Sequence, residues 1–125
     1  MKSFFLNEDA ERAFGFAQAI AHGDRLQVSG VLAVDQNYAP TCEGDMHGQL
    51  RCVYDRVSEI LNAHGKSFGD VLKETIFVTD MDAFLEWNSI RLDAYDGHAP
   101  SCTAVQVQRL AFSPCMVEVE MVVAL

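Results

Sequence analysis

Residues 53–84, VYDRVSEILNAHGKSFGDVLKETIFVTDMDAF, carry two kinds of hydrophobic pattern in succession. The first pattern is helical, with Asp45 as a candidate N-cap and Gly65 at the position of a C′ glycine. The β-branched run at 70–79 then predicts a half-buried strand. The stretch therefore predicts a helix followed directly by a strand. Apolar residues three or four positions apart form the stripe of that helix: Leu50, Val53, Tyr54, Val57, Ile60 and Leu61.

The segment before this stretch predicts a β-hairpin. FGFAQAIAHGDRLQVSGVLAV (14–34) reads as two strands around a turn at residues 22–24. Gly30 interrupts the second strand, and a glycine there indicates a bulge or a close approach of another group to the backbone. A short extra strand is predicted at SFFLN (3–7).

The segments after the stretch complete the predicted order. MDAFLEWNSIRLDAYDG (81–97) predicts a second helix, capped by Asp80 or Asp82. CTAVQVQRL (102–110) and MVEVEMVVAL (116–125) alternate with a period of two and predict closing strands, which gives the order β-β-α-β-α-β-β. Two helices can cover only one face of the sheet. We therefore expect the other face, which carries valines and methionine, to pack against another subunit.

The composition excludes several classes of protein. The chain fits a single domain spanning residues 1–125. Its formal charge of −9 repels nucleic-acid phosphates, so we expect no nucleic-acid partner. No apolar run approaches the roughly 20 residues of a membrane helix, so we expect no membrane partner. Glu8 and Asp9 precede any apolar region of a signal peptide, which favours a cytoplasmic location.

The cysteines and histidines show no metal-site spacing. No CxxC or HExxH pattern is present, so we predict no metal site and interpret the cysteines as reduced thiols. The residues concerned are Cys42, Cys52, Cys102, Cys115, His22, His47, His64 and His98.

Four segments resemble the Rid family, the YjgF/L-PSP proteins. GFAQAIAHGDRLQVSGVL resembles the family's early hairpin, and residues 53–84 resemble its helix, glycine joint and following strand. WNSIRLDAYDG places Asn88 where the family has a helix asparagine, and APSCTAVQVQRL with VEVEMVVA resembles its closing strands. The resemblance covers nearly the whole chain from Ala13 onward.

The resemblance implies a fold, an assembly and a reaction. The fold is α+β and chorismate-mutase-like, a mixed sheet with two helices packed on one face. The assembly is a homotrimer with clefts between its subunits. Typical members hydrolyse small reactive enamines and imines in these clefts, giving a 2-oxo acid and ammonia without a cofactor.

One position departs from the family. Its motif near the C-terminus is proline, a small residue, arginine, serine or threonine, any residue and an aliphatic. Pro100, Ser101, Thr103 and Val105 match this motif, but Cys102 occupies the arginine position. An arginine fork binds a carboxylate through two charge-assisted hydrogen bonds, whereas a thiol offers one weak donor. Losing such a contact costs about 2 to 5 kcal/mol, so we expect an altered substrate.

The role of Cys102 itself has three readings. The thiol packs as a small buried hydrophobe, contacts a ligand, or acts as a nucleophile with His98 as the nearest base. Two arginines are candidate substitutes for the missing guanidinium, namely Arg51 and Arg109.

The resemblance also suggests the remaining site residues. Glu118 aligns with the family's glutamate, which would orient or deprotonate the attacking water, and partial burial would raise its pKa. Phe16 falls on the family's cleft tyrosine and lacks its hydroxyl. The alternative to a site role for Glu118 is a place on a solvated strand face. The alternative for Asn88 is a place on a helix surface. Further candidate substrate-binding residues are Ser29, Gly30, Asn88, Thr103 and Glu120.

Two functions follow from these observations. The first is hydrolysis of a small imine or enamine with an altered substrate. The second is a non-catalytic trimer that binds a small molecule or a client in the same cleft. RNA cleavage, a label some family members carry, is disfavoured by the acidic charge.

Overall fold

The computed structural model describes residues 1–125 and contains one six-stranded sheet with four α-helices. The strands are β1 (Lys2–Phe4), β2 (Ala19–His22), β3 (Arg25–Leu32), β4 (Val71–Val78), β5 (Ser101–Gln106) and β6 (Val117–Ala124). The helices are α1 (Glu8–Phe14), α2 (Met46–Ala63), α3 (Met81–Glu86) and α4 (Asn88–Tyr95), and a 3₁₀ turn spans Phe68–Asp70.

The sheet is mixed, with the strand order β1-β2-β3-β6-β4-β5. Only β4 and β5 pair in parallel, and they are joined by a crossover through α3 and α4, as a parallel pair requires. The other pairs are antiparallel. This arrangement confirms the predicted α+β class. No helix combines the length and the apolarity needed to cross a membrane.

The predicted first helix is confirmed as α2. The Asp45 side chain caps it by accepting a hydrogen bond from the Gly48 N–H, and Gly65 follows its end with a φ of 66°. All six residues of the predicted apolar stripe are buried. The stripe packs on β3 and β6 in the main hydrophobic core, so α2 fixes which face of the sheet is covered.

The apolar residues of β6 lie mostly on the covered face. Val119, Met121 and Val123 alternate toward the helices and are buried. The prediction that methionine lies on the uncovered face was therefore wrong, because the alternation places Met121 with the buried valines. The uncovered face instead mixes apolar and polar side chains, among them Phe77, Val105, Val122, Lys73, Thr75 and Glu120.

The helical layer differs from the prediction in two places. Residues 14–18 were predicted as the start of a strand, but Phe14 is the last residue of α1 and β2 begins only at Ala19. The Asn7 side chain caps α1, and Gly15 ends it at a φ of 94°. This helix has only seven residues, too few to reveal a period. The predicted helix at 81–97 is divided at Trp87, whose backbone leaves the helical region (φ −107°, ψ 14°).

The β3 strand contains the predicted bulge. Its register against β6 shifts between Val28 and Val31, so Ser29 and Gly30 lie in the irregular part of the strand. The predicted hairpin turn is also present, with Gly23 at a φ of 62°.

Candidate functional site

A cavity of about 350 Å³ opens beside the bulge of β3. Its walls come from the end of α1 and the segment after it, from β3 with its bulge, and from β6. The loop between β3 and α2, helix α2 and the loop between β5 and β6 complete them. Four of the eight predicted site residues line it: Phe16, Ser29, Gly30 and Glu118. These four residues form one wall of the cavity.

Glu118 places a carboxylate in this cavity. A Cβ at position 30 would overlap the Glu118 carboxylate, so the glycine makes room for it. Burial raises the pKa of the Glu118 carboxyl above its usual range, and the negative charge of Glu120 raises it further. No hydrogen bond stabilises the ionised form. The arrangement favours a carboxylate that accepts a proton readily.

Ser29 holds the bulge and leaves no donor for a ligand. Its hydroxyl donates to the Ala17 carbonyl (2.7 Å), and its N–H donates to the Gln18 carbonyl (2.9 Å). The Gln18 side-chain amide in turn donates to the Ser29 carbonyl (3.2 Å). Ser29 was predicted as a substrate-binding residue, but its hydroxyl and its backbone N–H are already engaged within the chain.

Tyr38 forms part of the cavity wall and was missed by sequence analysis. It lies in the loop after β3 at a φ of 63° and contacts Phe16 edge-on, with ring centroids 6.4 Å apart. Its hydroxyl donates to the Glu11 carboxylate (2.8 Å). Burial first, and then the hydrogen bond to Glu11 and the Glu11 charge, raise the pKa of Tyr38. Its phenol is therefore held as a neutral donor to Glu11.

Glu11 ties α1 to this wall. Its side chain is buried and accepts hydrogen bonds from the backbone N–H groups of Leu6 (3.0 Å) and Asn7 (2.9 Å) as well as from Tyr38. The carboxylate thus fixes the start of the helix to the tyrosine. No periodic pattern signals the contact between Glu11 and Tyr38, because these two residues are 27 positions apart in the sequence.

Arg56 of α2 places a cation at the same cavity. One terminal nitrogen (Nη1) donates to the carbonyls of Val34 (3.2 Å) and Asp35 (3.5 Å), and the guanidinium lies 5.5 Å from the Tyr38 ring centroid. Its Nε is buried without a hydrogen-bond partner. One feature of the sequence marks this position, since Arg56 borders the apolar stripe of α2 beside Val57.

The two arginines considered as substitutes do not line this cavity. Arg51 lines a separate cavity with Asp55 and Asp93. The Arg109 guanidinium donates to the carbonyls of Leu110 and Ala111 instead.

Cys102 lies away from Glu118 within the chain. It pairs with Glu74 on β4, whereas Glu118 pairs with Phe77, so the two side chains point to opposite faces of the sheet. Cys102 is exposed on β5, so within the single chain it does not pack as a buried hydrophobe. Burial nonetheless raises the pKa of its thiol, against the opposing effect of Arg91.

The nucleophile interpretation of Cys102 finds no support. A raised thiol pKa lowers the thiolate fraction, and the thiolate is the nucleophile. The candidate base, His98, directs its Nε2 to the Val71 carbonyl (2.8 Å).

The helical side of β4 carries a buried ion pair near Cys102. Glu74 accepts hydrogen bonds from the Tyr54 hydroxyl (2.7 Å) and from the Nε of Arg91 (2.7 Å). The Glu74 side chain is fully buried, and the Arg91 side chain is 12% exposed. This pair joins β4 to α4.

The other three predicted residues also lie outside the cavity. Asn88 begins α4 in the helical layer, and the Thr103 hydroxyl accepts a hydrogen bond from Lys73 Nζ (2.9 Å). Glu120 is exposed on β6, opposite Thr75. No group of three or more histidine, cysteine or acidic side chains is arranged to hold a metal ion.

Comparisons with known proteins place these observations in a family. The sequence model of the family described as endoribonuclease L-PSP matches residues 8–125. A RutC family protein of Pyrococcus horikoshii is 31% identical over 121 residues, covering 96% of this chain and 95% of the relative. The 2-iminobutanoate/2-iminopropanoate deaminase of Salmonella typhimurium is 30% identical and covers 88% of each chain. A crystal structure from Thermotoga maritima superposes with a TM-score of 0.86 at 29% identity, covering 100% of this chain and 98% of the other.

Proposed function

Because the chain belongs to the endoribonuclease L-PSP family, the Rid or YjgF proteins, we propose that it hydrolyses a small imine or enamine and that Glu118 activates the water. The observation that carries this proposal is the Glu118 carboxylate in the cavity, with its pKa raised by burial. The deaminase relative from Salmonella supports the reaction class.

The proposed reaction needs only water as co-reactant. Ionised Glu118 takes a proton from the water as the water oxygen bonds to the imine carbon. The proton then passes to the nitrogen to give a carbinolamine. The hydroxyl proton of the carbinolamine moves to the nitrogen as the carbon–nitrogen bond breaks, so that ammonia leaves and the 2-oxo product forms. An enamine first takes a proton on carbon to become the imine. A raised pKa strengthens Glu118 as a base at neutral pH, which supports this role.

We further propose that the protein is a homotrimer with the cavity at a subunit boundary. The uncovered sheet face and the exposed strand β5 provide surfaces for neighbouring subunits. Within one chain Cys102 and Thr103 lie outside the cavity, so in this assembly they reach it only from a second subunit. Asn88 and Glu120 also lie outside the cavity within one chain, and their contact with a substrate likewise stays a prediction.

The experiment uses 2-imino acids generated in situ from amino acids by an amino-acid oxidase. Trapping with semicarbazide reports how fast the protein removes the imine. We expect the wild-type protein to accelerate hydrolysis and Glu118→Gln to lower kcat by about 100-fold or more, since general base catalysis contributes that much. The matched control is Glu86→Gln, an exposed glutamate at the end of α3.

The alternative is a trimer that binds a ligand in this cavity without turnover. The missing phenol at Phe16 and the missing arginine at Cys102 favour it. In that case no imine is removed faster than in buffer, and Glu118→Gln leaves ligand affinity nearly unchanged. Equal rates for wild type and Glu118→Gln would therefore reject the hydrolase proposal.

RNA cleavage is the reaction that the family description names. We do not propose it here, because the net charge of −9 disfavours contact with phosphates. An RNA-binding assay over a salt series tests this, and tight, salt-dependent binding would reverse the conclusion.

A further inference from the structure

The chain leaves one cation of the cavity without a counter-charge. Its three ion pairs use Arg12, Arg25 and Arg91, and none of them involves Arg56. The carbonyls of Val34 and Asp35 hold the Arg56 guanidinium in place without neutralising it. The guanidinium therefore retains its charge and spare donors for an anion.

The wall next to this cation is aromatic. Phe14 meets Phe112 edge-on at 5.8 Å and lies 6.3 Å from the Tyr38 ring, and Phe16 lies 6.5 Å from Phe14. Phe14 is nonetheless 61% exposed. A ligand with a flat apolar group would cover this exposed ring, and covering apolar surface is favourable.

The third feature is the Glu118 carboxylate, which repels an anion. A ligand that carries a carboxylate would therefore place it toward Arg56 and away from Glu118. The cavity of about 350 Å³ has the size of a small-molecule site. A compound of three carbons would leave most of the aromatic wall uncovered.

We infer that the cavity takes 2-imino acids with an aromatic or similarly bulky apolar side chain, and that Arg56 anchors their carboxylate. The inference rests on the proposed hydrolase function for its reaction and extends to the 2-oxo acids that the reaction releases. The anchoring charge comes from α2 and not from position 102, so the cysteine there does not leave the site without a cation.

The test measures binding to the full-length protein by titration calorimetry. The probes are phenylpyruvate, pyruvate, and 1-phenylpropan-2-one, in which a methyl group replaces the carboxylate. We expect phenylpyruvate to bind at least about tenfold more tightly than either of the others, because only it uses both the cation and the aromatic wall. Equal affinity for phenylpyruvate and pyruvate would overturn the inference.

Two variants separate the cation from the wall. Arg56→Met should lower the affinity for phenylpyruvate at least about tenfold and leave the affinity for the neutral ketone unchanged. The control is Arg51→Met, on the same helix but at a separate cavity, which should change neither affinity. Phe14→Ala should lower the affinity for phenylpyruvate and leave the affinity for pyruvate unchanged. Because Phe14 is largely exposed within the single chain, we expect this variant to fold, so it decides the inference even if Arg56→Met unfolds. Unchanged phenylpyruvate binding in a folded variant would overturn it.

Turnover separates this inference from the proposed function. If imines from alanine are hydrolysed and those from phenylalanine are not, the hydrolase proposal stands and the inference is wrong. If phenylpyruvate binds through Arg56 but no imine is hydrolysed, the ligand class and its anchor stand and the hydrolase proposal is wrong.

Discussion

The Glu118 carboxylate of β6 occupies the space that a side chain at position 30 of β3 would fill. The β3 bulge brings Gly30 to this point, and the absence of a Cβ lets the carboxylate lie against the backbone. The pair therefore sets where a base stands in the cavity, independently of any loop.

Gly30→Ala should displace the Glu118 carboxylate. The displaced atoms are the end of a flexible side chain, so we expect the melting temperature to change little. Turnover should fall by about 100-fold, since a shift of roughly 1 Å in a catalytic group has that effect. The control is Gly69→Ala, where the nearest atom, Ser67 Oγ, is 3.5 Å from the new Cβ. An unimpaired Gly30→Ala enzyme would show that the carboxylate position is unimportant.

Glu120→Gln should move the pH–rate profile. The proposed base works when Glu118 is ionised, so the rate falls as pH drops through its raised pKa. Removing the Glu120 charge lowers that pKa, and the acidic limb should move to lower pH. Burial is the larger cause of the raised pKa, so the limb should stay above the usual glutamate range. An acidic limb at the same pH in Glu120→Gln would show that the Glu120 charge does not raise the pKa of Glu118.

Glu118→Gln should make the protein more stable at neutral pH. The pKa of Glu118 is raised by folding, so its protonated form contributes stability below the unfolded pKa of about 4.5, and this contribution is lost as pH rises through the folded pKa. Glutamine does not ionise and avoids the loss. Thermal melts should show the variant more stable at pH 7, with the difference shrinking at about pH 4. A variant less stable at pH 7 would show that an unrecognised contact stabilises the carboxylate.

Arg91→Met should destabilise the fold by about 3 to 5 kcal/mol, because it leaves the buried Glu74 carboxylate with only the Tyr54 hydroxyl. Arg12→Met removes an exposed pair with Glu8 and should cost about 0.2 to 1 kcal/mol. Urea unfolding of both variants measures the difference. Similar losses in the two variants would mean that burial adds nothing to the Glu74 pair.

Cys102→Arg should raise hydrolysis of 2-aminoacrylate, followed as pyruvate release. In the proposed trimer the new guanidinium reaches the cavity of a neighbouring subunit and adds a second cation, beside Arg56, for the substrate carboxylate. The variant's oligomeric state is measured alongside by light scattering. No gain in a folded trimer would show that position 102 does not set carboxylate affinity.

Local patterns in the sequence predicted most of the fold. The stripe of α2, its Asp45 cap and the bulge at Gly30 each depend on residues close together in the chain, so spacing alone revealed them. The same holds for the hairpin turn at Gly23.

The missed features depend on contacts between distant residues. Tyr38 and Arg56 reach the cavity from a loop and a helix border, where no period applies. The face on which Cys102 lies follows from its pairing with Glu74, and a sequence does not state the register between strands. The four predicted residues inside the cavity came instead from the family resemblance.

The buried Glu11 carboxylate has a practical consequence for handling the protein. Two of its three hydrogen-bond donors are the N–H groups of Leu6 and Asn7, so trimming the first seven residues would leave the buried anion with only the Tyr38 hydroxyl. Fusion tags and surface-immobilisation handles are better attached after Leu125, whose side chain is 42% exposed.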